Sequence, residues 1–441
     1  GMEMLYIKNG LCIDPGTGMR QICDILTKED RILWIGENLE ERESFRKLPR
    51  HEIQTIDAEG CIVAPGLVDV HVHFRDPGFT AKEDILTGAA AAAAGGFTSV
   101  VMMANTKPVA DQEDTLRYML ERGKDTPIHV YSCGAVTKDM AGRELTDMEK
   151  LKDAGAVGFT DDGKPLMDGK LVREAMEKCR GLGVPISFHE EDPACIRQSG
   201  VNAGSVADKM GLTGADRQAE IRLIERDIRL AAQTGACVNI QHISTKEGVE
   251  LVRRAKEKGA DVHAEATPHH FTLTEEAVLQ YGTLAKMNPP LRTKEDRDAI
   301  IEGLRDGTID LIATDHAPHT KEEKEKPFTE APSGIIGLET ALALGITELV
   351  EKRKLTMEEL LVRMSYNPAK MYGLDAGYLA EGGPADLVIF DPDCSRTFWK
   401  FSSKASNSPF PGRTCKSEVE YTICAGKVAY IKNMSMAALD D

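Results

Sequence analysis

The chain has 441 residues, 41% hydrophobic and 28% charged, with a formal net charge of −17. That length is too great for one small core and suits a large domain beside a smaller one. The acidic balance argues against a nucleic-acid or anionic-membrane surface, and no run approaches the ~20 apolar residues of a membrane span.

Gly1-Met2 reads as a tag remnant ahead of the native start, and nothing after it has the form of a signal peptide. Ten cysteines, none in CxxC spacing, suit reduced thiols, so a cytoplasmic protein is expected. Residues 1–64 contain "MLYIKNGLCIDP", "CDILTKEDRILWIGE" and "IQTIDAEGCIVAPG", short alternating runs with turn signals. "GPADLVIFDP" and "YTICAGKVAYIK", within 383–432, are of the same kind. The two ends, 1–64 and 368–441, are therefore expected to pair into one small β-sandwich beside a domain spanning 65–367.

Between them one theme repeats. A short Val- and Ile-rich run ends in polar residues, and a helical stretch follows. The predicted strands are 66–73, 98–105, 128–135, 156–163, 185–191, 237–244, 261–270 and 310–319. The run "ILTGAAAAAAGGF" (85–97) reads as a packed helix, and 219–235, 246–259 and 294–307 carry amphipathic helical spacing. Eight strand–helix units imply a closed parallel (β/α)8 barrel. "HTKEEKEKPFTEAPSG" (319–334) is either a solvated surface loop or a lid over the barrel mouth.

In such barrels chemistry sits at the C-terminal ends of the strands. Those tips carry His71 and His73, Asn105, Asp161 and Asp162, His189, His242, and Asp315, His316 and His319. Strand side chains alternate, so His71 and His73 face one side while Val72 faces the helices. His-x-His alone is weak. Five or more imidazoles and carboxylates at successive tips are hard to explain as packing, and they suit zinc or a related divalent ion. His51 is expected at the surface, and His129 and His263 at the stability end of the barrel. His269, His270 and His316 are expected in supporting or structural roles. Arg75 shares the parity of His71 and His73, so it addresses the same mouth unless it pairs with Asp76.

With these residues in hand, the chain resembles the dihydroorotases of the amidohydrolase superfamily over 1–432. "DVHVHFRDPG", "FTDDG", "QHIST", "KMNPPLR", "ATDHAPH" and "GIIGLET" occur in that family's order. The resemblance is to the bacterial long-chain type, in which an aspartate bridges two metals. It implies a zinc held by His71, His73 and Asp315, a second held by His189 and His242, and Asp162 between them. The family's spacing selects Asp162 over Asp161. The sequence departs from the family after His189, reading "HEED" where relatives have His-Cys-Glu-Asp, and "APSGI" replaces an aromatic or proline before the glycine.

The resemblance further implies reversible closure of N-carbamoyl-L-aspartate to dihydroorotate, a step of pyrimidine synthesis, with Asp315 as proton shuttle. Arg75 would grip the substrate carboxylate bidentately, helped by Asn105 and His319. Asn288, Ser333 and Gly334 would meet the ring amides. A homodimer is implied, and in some relatives aspartate transcarbamoylase docks. Two other readings share the barrel. A hydantoinase or allantoinase would use a carboxylated lysine as the bridge and has no use for Arg75. An inactive scaffold subunit would have lost metal ligands, and this chain keeps all six.

Overall fold

The computed structural model describes residues 3–432. Gly1-Met2, expected to be a tag remnant, and the end of the expected sandwich segment from 433 onward lie outside the described residues. The N-terminal strands are β1 (Met4–Asp14), β2 (Met19–Lys28), β3 (Arg31–Gly36), β4 (Ile53–Asp57) and β5 (Ile62–Pro65). The central strands are β6 (Leu67–Val72), β7 (Phe97–Met102), β8 (His129–Ser132), β9 (Phe159–Thr160), β10 (Ile186–Phe188), β11 (Val238–Ile240), β12 (Val262–Ala266) and β13 (Leu311–Ile312). The chain closes with β14 (Leu387–Thr397), β15 (Thr414–Cys424) and β16 (Lys427–Ile431).

Both chain ends enter one sheet of order β16-β15-β14-β5-β1-β2-β3, with β4 paired to β1. The seam is the antiparallel pairing of β5 with β14, with Val63 opposite Ile389. Leu5, Ile25, Val63, Leu387 and Ile423 pack in one apolar cluster, so the two ends share a core. Gly66 alone separates β5 from β6. A Cβ there would lie 1.9 Å from Thr98 Oγ1, so the sheet passes into the barrel only through a glycine.

The eight central strands form two parallel sheets, β13-β12-β11-β10-β9 and β6-β7-β8. Parallel bridges Gly134–Phe159 and Val72–His316 join them at both seams and close the ring. Each expected strand is present but shorter: 156–163 contributes only Phe159–Thr160, and 310–319 only Leu311–Ile312. The polar tips lie beyond the ladder, and the end of 261–270 turns into a helix, Pro268–Thr272, capped by Thr267. Pro at the first helical position and a threonine cap explain that switch. The expected helices occur at Ile85–Ala94, Gln218–Thr234, Lys246–Glu257 and Lys294–Asp306.

Strand β6 departs from strict alternation at one point. β6 gains a residue against β7 between Asp69 and Val72, because Asp69 pairs with Val100 and Val72 with Met102. Such a bulge inverts the facing of one half of a strand relative to the other. Val68 and Val70 therefore pack with Val101, Leu311 and Ala313 in a cluster that also takes in Ala369, Tyr372 and Ala376. Val72 joins the main core beneath the helices, as expected. His71 and His73 reach the lumen after the bulge.

Candidate metal centre

The four imidazoles converge on one carboxylate. Asp162 Oδ2 lies 2.9 Å from His71 Nε2 and 3.0 Å from His73 Nε2. Its Oδ1 lies 3.2 Å from His189 Nδ1 and 3.5 Å from His242 Nε2. Asp315 Oδ1 lies 3.1 Å from His71 Nε2 and 3.0 Å from His73 Nε2. The six side chains expected to act together thus form two donor sets, His71/His73/Asp162/Asp315 and Asp162/His189/His242, each within 4.8 Å. Asp162 offers one oxygen to each set. Asp161 points elsewhere and accepts from Val136 N at 2.8 Å and from Thr137, so only one of the pair reaches the centre.

The other nitrogen of three imidazoles is occupied. Glu265 holds His71 Nδ1, Asn105 Oδ1 lies 2.9 Å from His73 Nδ1, and Glu191 Oε1 lies 2.6 Å from His189 Nε2. Acceptors on the far nitrogen orient an imidazole for metal ligation. His242 Nδ1 is buried without a partner among the described residues. Nitrogen and carboxylate donors, all buried or nearly so, with no thiolate among them, fit a divalent ion of the zinc type. Glu265 and Glu191 were missed by the sequence reading. Their signal was available: each is a carboxylate at or just past a strand tip, in "HAEAT" and "HEED".

Electrostatics agree. Burial opposes the charge on His71, but Glu265, Asp162 and Asp315 outweigh it and hold its pKa well above the ordinary value. Burial likewise opposes the charge on Asp162 and Asp315, and the imidazoles reverse it, holding both carboxyls well below the carboxylate range. Protons and metal compete for the same nitrogens, so metal binding releases protons.

The centre opens into a cavity of about 210 Å³. Arg75, Asn105, Asn288, His319, Ser333 and Gly334, all expected as substrate contacts, line it together with His269. That volume lies below the ~300–1,000 Å³ of drug-sized sites, so it suits a small metabolite. A larger groove of about 1260 Å³ runs past Arg217, Lys246 and Glu247, and none of the metal-binding candidates lines it. Chemistry, not size, selects the smaller space.

Arg75 reaches the cavity for a different reason than strand parity. It lies beyond β6 with φ 63, and the left-handed backbone sets its direction. Its Nε donates to Pro318 O at 3.1 Å, and it pairs with no carboxylate among the described residues. Asp76 instead accepts from Tyr118 Oη at 2.8 Å. Burial lowers the Arg75 pKa to about 10, which leaves it charged at neutral pH. His319 Nε2 donates to Ser333 O at 2.8 Å while Nδ1 faces Lys82 Nζ at 3.1 Å. Burial first, then Arg75 and Lys82, push its pKa to about 2, so it is neutral.

His51 is exposed, as expected. His316 is structural, bound to Glu83 at 3.0 Å, and His270 faces Pro289 O at 3.1 Å. Segment 319–334 is no free surface loop. Lys324 Nζ donates to Thr283 O and Pro332 O at 2.9 and 2.8 Å, and Lys286 Nζ to Phe328 O and Ala331 O at 2.6 Å each. Asn407, from the C-terminal part of the chain, bridges Ala317 O, Gly334 O and His319 N at 3.1, 3.2 and 3.1 Å. A Cβ on Gly334, at φ 144, would meet Ala317 O at 2.8 Å, so this approach also requires glycine. Glu190, where "HEED" departs from the family pattern, engages Asp227 and Arg226 rather than the centre, and burial keeps its carboxyl protonated far above the usual range.

The sequence profile of the amidohydrolase family matches residues 62–429. The chain is 57% identical over 427 residues to a dihydroorotase of Clostridioides difficile, covering 97% of this chain and 100% of the relative. It is 53% identical over 429 residues to a dihydroorotase of Clostridium acetobutylicum, covering 97% and 99%. Among solved structures, the L-hydantoinase (dihydropyrimidinase) of Arthrobacter aurescens superposes with TM-score 0.85 at 26% identity, covering 97% of this chain and 96% of that one. A dihydropyrimidinase of Brevibacillus agri, with TM-score 0.80 at 23% identity, shares the fold. By that match and those identities the chain belongs to the amidohydrolase family, which is metal-dependent, and within it to the dihydroorotases.

Proposed function

We propose that the chain is a dihydroorotase that closes N-carbamoyl-L-aspartate to dihydroorotate with release of water, and reverses the step. The observation that carries this reading is a six-residue imidazole–carboxylate cluster in a small cavity that also holds a guanidinium with no carboxylate partner among the described residues. His71, His73 and Asp315 would hold one zinc ion, His189 and His242 another, and Asp162 both. Bound divalent ions supply Lewis acidity and make water nucleophilic at neutral pH.

The remaining work falls to the chain. Arg75 takes the substrate carboxylate through its free guanidinium edge. Asn105 Oδ1 is engaged by His73, which leaves its NH2 group for the same carboxylate. Asn288 Oδ1 and Ser333 Oγ are buried without partners among the described residues. Buried polar atoms are ordinarily paired, so these two are suited to the ring amides. In ring opening, Asp315 accepts the proton released as water adds to the amide carbon. It passes that proton to the ring nitrogen as the C–N bond breaks. Closure runs the same steps backward. Asn407, Lys286 and Lys324 act indirectly, by holding the backbone that presents His319, Ser333 and Gly334.

Likeness to hydantoinases in fold raises that activity as a second reading. Asp162 at the bridge and Arg75 in the cavity favour the carboxylated substrate. We further assign the composite sheet (1–64 with 368–441) and the barrel (65–367) as two domains, and a cytoplasmic homodimer with aspartate transcarbamoylase as a candidate partner.

The test pairs metal analysis with dihydroorotate hydrolysis by the wild type and Asp315→Ala. Turnover of the variant should fall by at least about a thousandfold, with KM changed far less. Near-normal turnover would remove Asp315 from the shuttle. Turnover of hydantoin but not of dihydroorotate would favour the second reading.

A further inference from the structure

A second group of metal-binding side chains lies at the opposite mouth of the barrel. Cys237 immediately precedes β11, Asp261 precedes β12, His263 is the second residue of β12, and Asp310 precedes β13. Cys237 Sγ, an Asp261 oxygen and a His263 ring nitrogen lie within 4.8 Å of one another. His263 Nδ1 is 2.5 Å from Asp310 Oδ2, and Lys256 Nζ is 3.1 Å from that same oxygen. Asp310 Oδ1 accepts from Ala264 N at 3.3 Å. Asp310 is therefore fixed as an acceptor and sets the proton on Nδ1. That leaves Nε2, 2.7 Å from Asp261 Oδ1, facing the donor group. A carboxylate behind an imidazole whose other nitrogen meets a thiol and a second carboxylate is the arrangement that orients a ligating histidine. The group borders a cleft of about 560 Å³, open to an ion from solvent.

We propose that Cys237, Asp261 and His263 form a separate, thiolate-containing site for zinc or a similarly thiophilic divalent cation. Without an ion, burial opposes the charge on His263 but Asp261 and Asp310 overcome it and raise its pKa to about 11, so a proton holds Nε2. Cation binding displaces that proton and the Cys237 thiol proton, and both leave to solvent. One ion then ties the starts of β11 and β12, which are adjacent parallel strands, and Asp310 extends the tie to β13. The thiolate separates this site chemically from the catalytic centre, whose donors are nitrogen and oxygen only.

The experiment uses the holoenzyme with its thiols kept reduced, dialysed against Co2+ until cobalt has replaced bound zinc. A thiolate-to-cobalt charge-transfer band should appear at the intensity of about one thiolate-bound cobalt per chain, and the Tm gained over metal-free protein should be smaller in Cys237→Ser. Cobalt exchanging into the catalytic centre gives no such band. Cys237→Ser should abolish the band and leave dihydroorotate turnover unchanged. Asp261→Asn, at a side chain 56% exposed and so safe for folding, should weaken cobalt binding by about tenfold or more. Absence of the band in the wild type would overturn the proposal. So would a band that survives Cys237→Ser, since it would come from another thiol such as Cys424, which lies near His129 and Asp386.

Discussion

Arg75 is partly buried, charged and without an ion-pair partner among the described residues, a costly state unless an anion completes it. Replacing it with methionine keeps the volume and removes the fork. Arg75→Met should raise KM for dihydroorotate by about tenfold to a hundredfold, the range for a charge-assisted hydrogen bond, while kcat falls less. Steady-state kinetics decide this, and an unchanged KM would assign the carboxylate to another group. At this scale the sequence was informative for ligands and poor for direction. His71 and His73 followed from alternation because they lie on the same side of the β6 bulge. Arg75, His242 and Asp315 have positive φ, at 63, 34 and 52, and no periodicity carries that information. Non-glycine residues in this region are uncommon and gather at functional sites. Glu265 and Glu191 escaped notice because a lone carboxylate near a strand tip has no signature until the imidazole it supports is located.

The element that shapes the cavity wall is the segment 319–334, and part of its hold comes from outside the barrel. Asn407 lies 73 residues from Gly334 and 88 from His319 along the chain. Glu83 extends the same docking by accepting from Ser403 Oγ and Lys404 N. Asn407→Ala removes three hydrogen bonds from this backbone without touching a ligand. It should lower kcat/KM by about tenfold with metal content unchanged. Loss of metal together with activity would instead make Asn407 a general fold determinant. The sequence left this segment open between surface loop and lid, because its lysines and glutamates read as solvated charge. Lys324 is only 4% exposed, and burial of a lysine against carbonyls is a tertiary fact that composition does not disclose. The eight strands were legible as apolar runs. Their ends were not, since the polar tips continue the extended pattern past the last ladder pair.

Across the whole molecule, the composite sheet and the barrel meet through buried polar contacts as well as apolar ones. Glu339 accepts from Ser402 N and Ser403 N at 2.7 and 3.2 Å. Burial outweighs those bonds and raises its pKa to about 7, above the ~4.3 of an unfolded glutamate. The folded protein therefore holds this proton more tightly than the unfolded chain. Its contribution to stability is full below the unfolded value and is lost as pH rises through about 7. Urea unfolding of wild type and Glu339→Gln from about pH 4 to about pH 8, which spans both pKa values, should show the wild type losing ground to the variant as pH rises. A constant difference would contradict the assignment. The pairing of both chain ends was readable from like-patterned runs at each terminus, whereas the polar contacts between sheet and barrel were not. The central claim is that buried imidazoles and carboxylates from separate strands hold the metal on which dihydroorotate chemistry depends. Its most direct test is dihydroorotate hydrolysis by chelator-stripped protein during titration with Zn2+. Activity should lie at background without metal and recover between about two and about three equivalents, depending on whether the Cys237 site fills first, in the wild type and not in Asp162→Ala. Full turnover by metal-free protein, or equal recovery in the variant, would contradict it.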